Sequence, residues 1–407
     1  MSLRATQHRT GGLGANGHPE DASAVDALTL HAREASEVLW VMLDGRTRTR
    51  AQLTTETGLA RSTIGAQLDA LLESQLLLPV GEAASTGGRP PVQFRFNPGA
   101  RVVLAADLGA SHATLALTDL AGRALGTVHE PINIADGPEK VLTWVLDQGG
   151  RLIDESGRRA DLIGVGIGVP GPVEHSAGRP VRPPIMPGWD GFDIPAYVKE
   201  KLPVPVLVDN DVNLMALGEH ILVHRKVEHL LFIKVATGIG CGIITGGQLH
   251  RGAKGAAGDL GHVFTPSGEG VLCRCGNTGC LEAVASGPAI AARLREKGLD
   301  AHTSLDIFKL IEGGNMLAAA ELREAGRMIG DTLAACVSLL NPSIIVLGGV
   351  LSRAGDHLLA GVRERVYTRS LPLATGDLQI LPAGTGRNAA VAGAAVMMTQ
   401  HVLAVTR

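Results

Sequence analysis

The run Gly252-Ala-Lys-Gly255-Ala-Ala-Gly258-Asp259-Leu-Gly261-His262, followed by Cys273-Arg-Cys275-Gly-Asn-Thr-Gly279-Cys280-Leu-Glu282, decides how this chain folds. Three of the five cysteines fall inside the second segment, one short polar loop. Thiol and imidazole donors so closely spaced, with glycine in the turn, are what a closed tetrahedral zinc site needs. His262, Cys273, Cys275 and Cys280 are therefore the candidate metal ligands. The competing reading is a set of unrelated buried thiols. Arg274, Asn277 and Thr278 speak against it, because they mark a loop and not a core. Cys273 and Cys275 are too close for an easy disulfide.

Outward from this loop, short apolar runs alternate with helical stretches and glycine-rich turns. Strands are expected at 101–107, 113–118, 162–169, 204–208, 230–235, 242–244 and 343–347. This is an α/β pattern of two related lobes. The chain has 407 residues, enough for two or three full cores. A formal charge of -3 excludes a polyelectrolyte binder, so any nucleic-acid contact must be local. Aromatic residues make up only 3%, which argues against base stacking on single strands. No apolar run is long enough for a membrane span. Residues 1–26 read as a polar tail without the apolar stretch of a signal peptide, and the expected location is the cytoplasm.

Residues 27–97 form a separate unit. Helices are expected over 28–43, 50–57 and 61–73, the second broken by Gly58. Strands over 76–80 and 92–96 follow, joined by a loop containing Gly87-Gly88-Arg89-Pro90. This order is that of a winged helix-turn-helix. Its third helix would enter the major groove of double-stranded DNA, with Arg61, Ser62, Thr63 and Gln67 toward the bases. Arg46, Arg48 and Arg50 would meet phosphates, and Arg89 at the wing tip a minor groove. The competing reading is a helical interaction domain with a solvated face.

Residues 98–407 hold the remaining motifs. Asp107-Leu-Gly109-Ala110-Ser-His112 and Thr237-Gly238-Ile-Gly240 sit at strand turns, where backbone N–H groups approach phosphate oxygens. Gly348-Gly349 adds a third approach point. Asp209-Asn210-Asp211 follows a strand and opens a helix. Asp211 has the placement of a general base oriented by Asn210, although the spacing alone favours ordinary N-capping.

Taken together, these residues resemble the ROK family (repressors, open reading frames, kinases). The match runs through Gly238-Ile-Gly240, Gly252 to His262, and Cys273 to Glu282. The N-terminal unit with its Gly-Gly-Arg-Pro resembles the transcriptional-regulator branch. The resemblance implies an actin-like ATPase fold of the ribonuclease H-like type, with two α/β lobes around a cleft. It implies sugar contacts at Asn210, Asp211, Asp259, His262 and Glu282, and a nucleotide near Asp107, Gly109, Thr237, Gly238, Gly240, Gly348 and Gly349. It implies structural Zn²⁺ on His262 and the three cysteines, with the second ring nitrogen of His262 facing the sugar. Several positions depart from the kinase pattern. Ala110 and His112 stand where Gly and Lys are usual, Ala236 replaces Gly, Asp259 replaces Glu, and Ile185 replaces a sugar-binding Asn. These departures weigh against ATP and Mg²⁺.

The expected function is a DNA-binding regulator, a repressor of carbohydrate-utilisation genes answering to a sugar-like effector. Operator symmetry implies a homodimer or tetramer. The alternative is an ATP-dependent sugar kinase with a fused DNA-binding domain, for which Asp211 would be catalytic.

Overall fold

Helix α1 (Ser36–Met42) turns Val38, Leu39 and Met42 inward. In the computed structural model of the chain, residues 28, 32, 34–82 and 91–403 are described. Leu28, Ala32 and Glu34, upstream of α1, are also helical. The expected tail and the Gly87-to-Pro90 wing tip with Arg89 lie outside the described residues. Strand β1 (Arg48–Thr49) leads into α2 (Arg50–Thr57), whose start is fixed by a capping box between Thr49 and Gln52. Gly58 ends α2 at φ 74°, the left-handed conformation that stops a helix. Helix α3 (Arg61–Glu73) buries Ile64, Gln67, Leu68 and Leu71. Strands β2 (Leu77–Glu82) and β3 (Val92–Phe96) pair antiparallel, and β1 adds to the far side of β3.

The rest of the chain forms two lobes. The first holds β4 (Val102–Leu108), β5 (Ala113–Asp119), β6 (Ala124–Glu130), α4 (Pro138–Ser156) and β7 (Leu162–Val169). A small hairpin, β8 (Val173–Glu174) and β9 (Arg179–Pro180), and α5 (Ile194–Lys199) precede β10 (Val206–Asn210). Helix α6 (Asp211–Leu222) then crosses to the second lobe. That lobe begins with β11 (Leu230–Val235), β12 (Ile239–Thr245) and β13 (Gln248–Leu249). Helices α7 (Leu281–Ala285), α8 (Gly287–Glu296), α9 (Ser304–Glu312) and α10 (Met316–Leu340) follow. It closes with β14 (Ile344–Gly348), α11 (His357–Arg369), α12 (Pro372–Thr375) and β15 (Gln379–Pro382). The last helix, α13 (Ala389–Val402), returns to the first lobe.

The two sheets have one topology. Their strand orders are β10-β7-β4-β5-β6 and β13-β12-β11-β14-β15. In each, three consecutive strands form an antiparallel meander and two further strands add in parallel beside the first. Strands β4, β5 and β7 are buried at every position, because helices cover both faces of the first sheet. The sequence of β7 explains how α13 comes so close. Gly164, Gly166 and Gly168 share one face, and a Cβ on Gly166 would lie 2.5 Å from the Ala394 carbonyl oxygen. The alanine-rich helix Ala-Ala-Val-Ala-Gly-Ala-Ala fills that stripe with little side-chain bulk.

The N-terminal unit is not an isolated bead. Its apolar residues, including Leu39, Leu68 and Leu71, belong to one core with Val391, Val402 and Leu403 around α13 and with Leu214 and Leu217 of α6. The Arg225 side chain, just past α6, donates a hydrogen bond to the Leu43 carbonyl at the end of α1. Among the described residues no helix is long and apolar enough to cross a membrane.

Candidate functional site

A cleft between the lobes is lined from both sides. Ser111, His112, Asn210 and Asp211 come from the first lobe and the start of α6; Lys234, Thr237, Gly238, Asp259, His262 and Glu282 come from the second. Strand β10 ends two residues later than expected, at Asn210. Asn210 is then the N-cap of α6, its Oδ1 accepting from the Val212 and Asn213 N–H groups at 2.9 and 3.3 Å. Its amide nitrogen donates to Gly171 at 3.0 Å. Both readings of the Asn-Asp pair therefore meet here: Asn210 caps the helix, and the cap sets Asp211 on the cleft wall.

Asp211 is buried, and its Oδ2 accepts a hydrogen bond from Lys234 Nζ. Lys234 is not among the site residues expected from the sequence, since its partner Asp211 comes from another element. Its signal was the strand itself: Leu230-Leu-Phe-Ile-Lys234-Val is otherwise wholly apolar. Burial opposes both charges, and the attraction of Asp211 and Asp107 outweighs it for Lys234, keeping the ammonium protonated above the usual lysine range. Beneath Asp211, the buried Asp209 accepts from Arg251 at 2.6 Å and from Asn213 at 2.9 Å. This ties the loop after β13 to the end of β10, one lobe to the other.

The two expected phosphate loops face the cleft, at the β4–β5 and β11–β12 turns. Gly348 and Gly349 do not line it. A Cβ on Gly348 would strike the Phe232 ring at 2.3 Å, and one on Gly349 the Val235 carbonyl at 2.4 Å. These glycines serve the close packing of β14 against β11.

Gly258, at φ 95°, lets the Gly-Asp-Leu-Gly-His segment lie on β12; a Cβ there would be 1.9 Å from the Cys241 carbonyl oxygen. The segment delivers Asp259 and His262 to the cleft rim, with His262 Nε2 4.0 Å from Asp259 Oδ1. His262 Nδ1 points the other way, 3.7 Å from Cys273 Sγ. The loop 271–279 folds back on itself through the Cys273 N–H to Asn277 and Gly279 N–H to Val271 bonds, at 2.7 and 2.9 Å. Cys280 then starts α7, which carries Glu282 into the cleft.

The donor atoms of His262, Cys273, Cys275 and Cys280 lie within 4.8 Å of one another. A tetrahedral ion with metal–sulfur bonds of about 2.3 Å separates its sulfurs by roughly 3.8 Å. Cys275 and Cys280 sulfurs are 3.7 Å apart, so the donor set fits such an ion. Burial first, then the neighbouring Cys275 and Cys273, push the Cys280 thiol up to about 12. A divalent cation favours the thiolates and reverses that tendency.

In the N-terminal unit, Arg61, Ser62 and Thr63 are exposed at the start of α3, and Arg50 is exposed beside Phe94. Gln67 corrects the sequence reading. It is buried, donates to Glu37 at 3.1 Å and accepts from the Val38 N–H at 3.4 Å. Pairing it with Thr63 at four residues placed it outward, but it also lies three from Ile64 and four from Leu71, on the inner stripe. Arg48 is likewise buried, held by Asp44 and Glu56, and is not free to meet a phosphate.

Two lobes of one topology closing on a cleft define an actin-like ATPase fold. The sequence model of the ROK family matches residues 103–401, and the chain belongs to the ROK family. It is 30% identical over 362 residues to the xylose repressor of Bacillus spizizenii, covering 88% of this chain and 92% of that protein. It is 31% identical over 312 residues to the glucokinase of Halalkalibacterium halodurans, covering 72% of this chain and 94% of that one. A solved ROK family transcriptional regulator, described as a homologue of the Escherichia coli MLC protein, is similar with a TM-score of 0.78 at 26% identity. That likeness covers 92% of this chain and 97% of the other.

Proposed function

We propose that this chain is a DNA-binding transcriptional repressor of carbohydrate-utilisation genes, released or retuned by a sugar bound in the interlobe cleft. The observation that carries the reading is helix α6. It begins at Asn210 and Asp211 in the cleft, and just past its end Arg225 holds the Leu43 carbonyl of the N-terminal unit. A helix of this length spans roughly 18 Å, so one rigid rod joins ligand site and N-terminal unit. The likeness to a xylose repressor and to a ROK regulator over about nine-tenths of the chain supports the same reading.

In this reading residues 27–97 are a winged helix-turn-helix and residues 98–407 the sensing domain. Helix α3 enters the major groove with Arg61, Ser62 and Thr63, Arg50 meets a phosphate, and Arg89 belongs to the wing. Asn210, Asp211, Asp259, His262 and Glu282 receive the sugar hydroxyls, and the cysteine cluster holds zinc. Ligand closure of the lobes tilts α6 and moves the two winged units of a cytoplasmic homodimer or tetramer relative to the operator half-sites.

Gel-shift titration on DNA from upstream of its own gene tests this, with D-xylose, D-glucose and N-acetylglucosamine added in turn. A sequence-specific complex is expected, weakened roughly tenfold or more by one of the sugars. No sequence-specific complex would overturn the reading. Asp211 in the cleft keeps a sugar kinase as the second reading; phosphate transfer to a hexose, lost in Asp211→Asn, would establish it.

A further inference from the structure

Lys234 stands where nothing in the sequence reading placed a cation. Its side chain is 18% exposed, reaches into the cleft and hydrogen-bonds Asp211, whose side chain is 3% exposed. Asp107, at the end of β4, and Glu282, on α7, act on the same ammonium. One lysine thus holds one carboxylate by a hydrogen bond and lies in the field of two more. A guanidinium also lines the cleft: Arg274 donates to the Thr237 carbonyl at 3.2 Å and lies 3.7 Å from Glu282, so it leaves Asp211 to Lys234.

The first phosphate loop is covered as well. The His112 ring folds back over Gly109, so close that a Cβ on Gly109 would lie 2.2 Å from it. His112 Nε2 is 3.9 Å from Asp107 Oδ2. The His112 ring and the Lys234 ammonium thus lie against Asp107 and Asp211, the carboxylates a divalent ion would need.

We propose that Lys234 is a resident cation of the cleft: it fixes Asp211 as a hydrogen-bond acceptor for a ligand hydroxyl and makes ligand binding independent of a divalent ion and of nucleotide. A carboxylate serving as general base must take up a proton. Here that would leave the Lys234 ammonium without its nearest counter-charge in a buried site. A divalent ion near Asp107 and Asp211 would meet like charge at short range. A sugar hydroxyl meets neither obstacle, since it donates to the remaining lone pairs of Asp211. The proposal rests on the cleft being an effector site, but its first test needs no effector.

That test is Mn²⁺ binding to the full-length, zinc-loaded protein, followed by electron paramagnetic resonance, with and without a non-hydrolysable ATP analogue. The unaltered protein is expected to bind Mn²⁺ no better than its surface carboxylates do. Lys234→Met is expected to bind Mn²⁺ at least roughly tenfold more tightly, once the like charge is gone. Adding Asp107→Asn should remove that gain. Lys234→Gln, which keeps a donor toward Asp211 without the charge, is measured alongside in case Lys234→Met does not fold. The proposal is overturned if the unaltered protein binds Mn²⁺ or Mn²⁺-nucleotide as tightly as a folded Lys234 variant. It is also overturned if a sugar shifts the melting temperature of the unaltered protein only when Mg²⁺ is added. A protein that no sugar stabilises, with the Mn²⁺ result as expected, would count against the effector reading and not against the role of Lys234.

Discussion

The Arg225 guanidinium donates to the main-chain carbonyl of Leu43, a residue 182 positions away in sequence. Leu43 is the C-cap of α1, where helix carbonyls lack intrahelical partners, so a cation is favoured there. The contact joins the end of α6 to the N-terminal unit, while the opposite end of α6 carries Asp211. Arg225→Ala should therefore weaken the transmission of ligand binding more than either binding event. Operator affinity without sugar and sugar affinity without DNA are expected to change little. The loss of operator affinity on adding saturating sugar is expected to shrink roughly fivefold. Comparing DNA titrations with and without sugar in both proteins reads this. An unchanged sugar effect would show that the apolar core around α13 carries the coupling alone.

Arg61 and Gln67 separate reading from packing on the same helix. Arg61 is exposed on the first turn of α3, and Gln67 is buried against Glu37 and Val38. Arg61→Ala should weaken operator binding by about 1–3 kcal/mol and relax the preference at one base pair, leaving the melting temperature unchanged. Gln67→Ala strands the buried Val38 N–H, while the exposed Glu37 carboxylate turns to water, and should cost about 1 kcal/mol of stability without relaxing base preference. Denaturant unfolding and binding-site selection distinguish the two.

How far the sequence could be read follows from the kind of signal each feature gives. The two lobes were legible because their central strands are continuous apolar runs, a pattern that survives without knowing neighbours. The cysteine cluster was legible because its members are close in sequence, apart from His262. Gln67 was misread because a helix face was inferred from one spacing, when the position also lies three from the buried Ile64 and four from the buried Leu71. Lys234 was missed because its partners, Asp211, Asp107 and Glu282, come from other elements. The continuity of the N-terminal core with α13 was equally invisible, since it joins residues near both ends of the chain.

The cluster of His262, Cys273, Cys275 and Cys280 sits directly before α7, and α7 carries Glu282. Glu282 in turn accepts from the Ile239 N–H at 3.0 Å, holding the turn between β11 and β12. Cys273→Ala should reduce bound zinc from about one ion per chain to a trace. The loop would lose its anchor, and Glu282 with it, so sugar-induced stabilisation is expected to fall. Operator binding without sugar should persist, because α3 is remote from the loop. Elemental analysis and melting curves with and without sugar check both parts. Full sugar-induced stabilisation in a zinc-free variant would reduce the cluster to a local staple.

Asp44 gives the pH dependence of the N-terminal unit. Burial acts to raise its pKa, but hydrogen bonds from Arg48, at 2.6 and 2.8 Å, outweigh this and hold the carboxyl below its usual range. Arg48 itself is buried and also donates to Glu56 at 2.8 Å, so the pair clamps the turn after α1 to α2. A carboxyl with a depressed folded pKa stabilises the fold above its unfolded value, about 3.9 for Asp. That contribution is lost as pH falls through the lower, folded value. Asp44→Asn should therefore melt a few degrees lower at pH 7, and the gap should begin to narrow as pH falls below about 5 and close only below the folded value. Because Asp44 is partly exposed, added salt should narrow the gap at pH 7 as well. Melting curves of both proteins across that range decide it, and a gap that stays constant down to pH 3 would mean the Asp44 charge contributes nothing.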